Sequence, residues 1–143
     1  MAGSSLTATY DLGQDGFGGR STIKVITIAW VSDSATGAAS GTLKKIAGRL
    51  VKAVTVPSGT AAPTDNYDIA LTDEQSVNVL SGSQSTLLDR DTANTEEVYF
   101  LVKDAAGTPL AQSVHPLICN ALTVSITNAG NSKAGTIYLY VES

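Results

Sequence analysis

Residues 121–143 read "ALTVSITNAGNSKAGTIYLYVES", and their periodicity decides the fold class. Leu122, Val124 and Ile126 alternate with Thr123, Ser125 and Thr127. Further on, Ile137, Leu139 and Val141 alternate with Tyr138 and Tyr140. A repeat of two places successive side chains on opposite sides of an extended chain, so each run reads as a strand with one buried face. Between them, "NAGNSKAG" supplies residues that tolerate turn backbone. Two such strands around a turn predict a β-hairpin.

The same cadence extends outward from this stretch. In "STIKVITIAWV" (residues 21–31), Ile23, Val25, Thr27 and Ala29 share one side, while Lys24, Ile26, Ile28 and Trp30 share the other. Both sides are largely apolar, which predicts a strand that is central in its sheet or covered on both faces. Tyr67, Ile69 and Leu71 alternate with Asp68, Ala70 and Thr72. The turn residues "DEQS" follow, and Val77 and Val79 begin a return strand. Further strands are expected near residues 6–10, 97–102 and 114–118. Turn chemistry is dense between them, in "SATGAASG", "PSGTAAP" and "DAAGTP".

Two segments are less regular. "TLKKIAGRLVKAV" (residues 42–54) fits an amphipathic helix with Leu43, Ile46, Leu50 and Val54 on one face. Gly48 in its middle and the β-branched continuation to Pro57 favour instead two strands meeting near Gly48. Residues 83–96 lack a period and read as a long loop with a helical turn around "TLLDRD". The whole is an all-β chain: an antiparallel β-sandwich, jelly-roll-like, or a small barrel. Residues 1–20 form an N-terminal arm or a first strand, and residues 21–143 a single domain.

Composition narrows the function classes. The chain of 143 residues is 43% hydrophobic and 15% charged, as in an ordinary globular protein. A net charge of −4 argues against general nucleic-acid binding, which normally wants a basic face. The apolar runs fall far short of the ~20 residues a membrane-spanning helix needs, and residues 1–16 carry no signal-peptide pattern. Folding in the cytoplasm of the cell that makes it is expected. The single cysteine, Cys119, lies in the apolar run "PLICNAL" and reads as a buried, inert thiol.

The residues offer little chemistry. The only histidine, His115, precedes Pro116 and follows no nucleophile-elbow pattern. Four residues of strand would hold it about 13 Å from Cys119. Asp65, Asp68, Asp73 and Glu74 form the densest acidic cluster, with Asp89 and Asp91 second, but neither has calcium-loop spacing. Both read as solvated acids at turns and strand ends. "GQDGFGG" (residues 13–19) lacks the lysine and hydroxyl of a phosphate loop. No catalytic, metal or cofactor residue is assigned, and the chain is not expected to be an enzyme.

Charge is unevenly spread. Lys44, Lys45, Arg49 and Lys52 fall in one short stretch, while nine of the thirteen carboxylates lie between Asp65 and Asp104. Patches of opposite sign would steer and register contacts between subunits. Candidate interface residues are these four cations and Leu6, Tyr10 and Phe17 of the N-terminal segment.

From "PTDNYDIALTDEQSVNVL" through "NTEEVYFLV" to "LTVSITNAGNSKAGTIYLYV", the chain resembles small all-β virion proteins of tailed bacteriophages. Within that group it is most similar to the capsid decoration, or cement, proteins. The resemblance implies a non-catalytic structural protein that binds the outside of the capsid and stabilises contacts between major capsid subunits. It implies a virion location, the major capsid protein as partner, and self-association, with a trimer favoured. Other expectations remain: a tail, connector or fibre-associated virion module, or a carbohydrate- or ligand-binding β-sandwich.

Overall fold

The structure is a computed structural model that describes residues 3–11, 23–79, 89–90, 94–102, 106, 108 and 115–142. Its strands are β1 (Ser5–Asp11), β2 (Ile23–Val31), β3 (Ala39–Thr42), β4 (Ile46–Pro57) and β5 (Tyr67–Thr72). They continue with β6 (Asp89–Arg90), β7 (Glu96–Tyr99), β8 (Leu117–Asn120), β9 (Thr123–Thr127) and β10 (Ala134–Glu142). No helix occurs among the described residues. The strands form two antiparallel sheets, not closed into a barrel. The larger runs β1-β2-β10-β4-β7, with β8 also on β4, and the smaller runs β3-β9-β5-β6. The molecule is a β-sandwich.

The inward half of each alternation builds the core. Ile26, Ile28, Leu50, Ala53, Ile137 and Leu139 from the large sheet meet Ile69, Leu71, Val124 and Ile126 from the small one and Leu122 just before β9, all buried. Trp30 and Tyr67 touch across the gap, with ring centroids 5.7 Å apart and planes tilted by 41°. This tilted contact of two large rings joins the layers at one end of the core.

The hairpin expected at residues 121–143 is not formed. Strand β9 pairs with β3 and β5 in the small sheet, while β10 pairs with β2 and β4 in the large one. "NAGNSKAG" therefore carries the chain across the sandwich rather than back along one sheet. Asn128, Gly130 and Ser132 all take positive φ there, at 59°, 85° and 54°. Neighbouring loops hold the crossing in place. Ser32 Oγ donates to the Gly130 carbonyl at 2.6 Å and accepts from the Lys133 amide at 2.8 Å. The Ala129 amide donates to the Gly37 carbonyl.

The ambiguous segment at residues 42–54 is extended, but it is not two strands joined at Gly48. One continuous strand, β4, runs from Ile46 to Pro57. Gly48, at φ 151°, sits where a Cβ would lie 2.4 Å from the Glu142 carbonyl oxygen, so it permits close approach of β10. The irregularity comes later. The register shifts between Tyr140 and Val141, which leaves Val51 as an extra residue opposite β10.

Other expectations are adjusted in detail. Strand β2 is central, between β1 and β10, and its second face, with Ala29 and Val31, is open to solvent. After β5 the chain begins its return through the bridge Thr72 to Asn78 and the Val79 amide donating to the Leu71 carbonyl, and residues 80–88 lie outside the described residues. The strand expected at 114–118 lies at 117–120. Asp89 and Arg90, placed in a helical turn from the sequence, pair as strand β6 with Tyr67 and Asp68. The rest of that turn lies outside the described residues.

Candidate functional surface

Strand β1 pairs with β2 along its whole length, from Ser5 opposite Val31 to Asp11 opposite Val25. Of the alternatives for the N-terminus, residues 5–11 are thus a strand. Leu6 and Tyr10 pack inward against the core, and Leu6 lies over Gly41 of β3. Phe17 lies outside the described residues.

Tyr10 also gathers two of the cations. Its hydroxyl accepts the Lys44 amide proton at 2.8 Å, and Lys44 Nζ sits 5.2 Å from its ring centroid. Beside it opens a cleft of about 120 Å³ lined in part by Tyr10, Asp11, Lys24 and Lys45. A shallower groove along Ala8, Thr9 and Tyr10 is flanked by Lys44 and Lys45. Three of the seven candidate interface residues, Tyr10, Lys44 and Lys45, therefore meet at one end of β1, where Lys24 joins them.

Arg49 and Lys52 belong elsewhere, on the outer face of the large sheet. Arg49 Nη1 donates to the His115 carbonyl at 3.3 Å. Lys52 Nζ lies 2.9 Å from Glu97 Oε2, 4.8 Å from the Tyr140 ring centroid and 5.7 Å from that of Tyr99. The hydrogen bond to Glu97 raises the Lys52 pKa above its ordinary value and lowers that of Glu97 below its own. Glu97 comes from the acidic half of the chain and Lys52 from the basic stretch. The register of β4 and β7 thus places this one pair of opposite charges side by side.

No family model, curated protein or solved structure matches this chain. The surface has to be read from its own residues. Strand register lines up Asp11, Val25, Tyr140, Lys52 and Tyr99 across the outer face of the large sheet, and Thr9, Thr27, Tyr138, Val54 and Glu97 in the neighbouring row. Val31, Tyr99 and Leu117 are exposed on the same face, Leu117 at 73%. Sequence reasoning assigned no role to these tyrosines, although Tyr138 and Tyr140 stand opposite the core-facing Ile137, Leu139 and Val141. Cys119 is exposed beside Leu117, not buried, because Ile118 takes the inward position of β8.

The acidic cluster has structural partners. Asp73 Oδ1 accepts the Gln75 and Val77 amides, both at 2.9 Å, and closes the turn after β5. Glu74 Oε1 accepts the Ala121 amide at 3.0 Å, and Asp68 Oδ2 accepts from Asn128 Nδ2 at 2.6 Å. Among the described residues, no three His, Cys, Asp or Glu side chains come together as a metal site. His115 Nδ1 donates to the Phe100 carbonyl at 2.7 Å, which fixes the segment entering β8.

Proposed function

We propose that this protein is a non-catalytic structural component of a tailed-phage virion, seated on the outside of the capsid. There it strengthens contacts between major capsid subunits. The observation that carries the reading is the outer face of the large sheet. Tyr99, Tyr138, Tyr140, Val31 and Leu117 share it with Asp11, Arg49 and the Lys52–Glu97 ion pair. Exposed tyrosines gathered on one face are the enrichment seen at protein interfaces. A shell protein bound this way opposes rupture by mass action, since it binds only the assembled lattice. The sequence resemblance to decoration proteins supplies the particle.

The test is stoichiometry. Quantitative mass spectrometry of purified particles is expected to find the protein at a copy number approaching that of the major capsid protein. A handful of copies would move it to a tail or connector, and absence from the particle would overturn the reading. A second reading follows from the tyrosines on one face, which could stack on sugar rings. Binding on a glycan array that is lost in Tyr140→Ala would favour it.

A further inference from the structure

The geometry points to the outer edge of β1, the one away from β2, as a self-complementary docking strand that pairs antiparallel with β1 of a second copy of this chain. Exposed edges are normally blunted by shortness, lysine, proline or a bulge. The other edges fit that rule: β3, β7 and β8 have four residues each, β6 has two, and β7 carries Glu96 and Glu97. Strand β1 has seven residues, "SLTATYD", without lysine or proline, and its register with β2 has no shift. Among the described residues, the backbone from Ser5 to Tyr10 pairs with no strand other than β2.

Charge at its two ends selects a second copy as the occupant. At the Ser4 end, Asp33 shares a groove with Ser4. At the Tyr10 end stand Lys44, Lys45 and Lys24, which outnumber Asp11. An antiparallel partner reverses the order, so each Asp33 meets the partner's lysines. A register centred on Thr7 places Ser4 opposite the partner's Tyr10, Ser5 opposite the partner's Thr9, and Leu6 opposite the partner's Ala8. Side-chain alternation is kept across the junction, with Leu6 and Ala8 both inward. The two large sheets become one. Such a two-fold contact closes at two copies, against the three suggested by the resemblance. It is a property of this edge and does not depend on where the protein resides.

The register is read directly by cysteine crosslinking of the full chain. The background is Cys119→Ser, because Cys119 is exposed. Antiparallel residues directly opposite each other lie about 4.5–5.5 Å apart, within disulfide reach. Under mild oxidation, Thr7→Cys alone is expected to form a covalent dimer. Thr9→Cys alone is not, while a mixture of Ser5→Cys and Thr9→Cys gives the crosslinked pair. Sedimentation of the uncrosslinked chain from about 5 µM to about 500 µM is expected to show a monomer–dimer equilibrium, about ten-fold weaker at about 1 M salt than at about 0.05 M. A chain that stays monomeric, a trimer, or Thr9→Cys linking as readily as Thr7→Cys would overturn the proposal.

Discussion

The hydroxyl of Thr55 is buried on β4 without a hydrogen-bond partner among the described residues. A polar group left unpaired in an apolar interior costs free energy that an isosteric apolar group avoids. Thr55→Val is therefore expected to stabilise the fold by about 1 kcal/mol, seen as a higher urea midpoint. An unchanged or lower midpoint would mean that the hydroxyl is satisfied in solution. Gly135 predicts the opposite sign. It pairs with Trp30 in the β10–β2 register, and a Cβ there would lie 2.8 Å from the indole ring. Gly135→Ala has to push the ring off Tyr67, and overpacking of this kind costs about 1–3 kcal/mol. Because Trp30 is the single tryptophan, its fluorescence reports the displacement alongside the lost stability.

At the level of elements, the strands were legible in the sequence and their partners were not. Alternation shows that a residue is buried, and burial has the same period whichever sheet the strand joins. It therefore identified β2, β5, β9 and β10, but it could not show that residues 128–133 cross between layers. That crossing depends on Ser32, about a hundred residues away in sequence, whose hydroxyl bonds both the Gly130 carbonyl and the Lys133 amide. Gly48 misled for a related reason, since its role is to admit a carbonyl from β10, a neighbour that no local pattern names. The candidate surface was half legible. Tyr10, Lys44 and Lys45 do converge, whereas Lys52 is matched to Glu97 by a β4–β7 register invisible in one dimension. The exposure of Cys119 was available in principle, as alternation across Leu117, Ile118 and Cys119. If Ser32 holds the crossing, Ser32→Ala leaves the part-buried Gly130 carbonyl and Lys133 amide without this partner, at a cost of about 1 kcal/mol. Hydrogen exchange is expected to quicken at Lys133 and Ala134, with β5 unaffected at first. Equal loss of protection across both sheets would assign Ser32 to the core rather than to the connection.

At the scale of the whole molecule, the resolved charge shifts of Asp33, Glu97 and Lys52 each add a pH-dependent contribution to stability. The Ala35 and Thr36 amides hold the Asp33 carboxyl below its ordinary value of 3.8, and Lys52 holds Glu97 below 4.5. A carboxylate whose pKa falls on folding stabilises the native state above its unfolded value and loses that contribution as pH drops toward the folded one. Lys52 is shifted the other way by Glu97, so its contribution is complete below 10.5 and disappears above it. Stability from these three groups is thus flat through neutral pH, declines first through Glu97 below about 4.5 and then through Asp33, and declines again on the alkaline side. Urea midpoints measured at protein concentrations too low for edge pairing are expected to follow this profile. Asp33→Asn with Glu97→Gln lowers the neutral plateau and flattens the acid limb, because neither replacement can ionise. A doubly substituted chain whose acid limb stays as steep as the parent's would place the titration in other carboxylates.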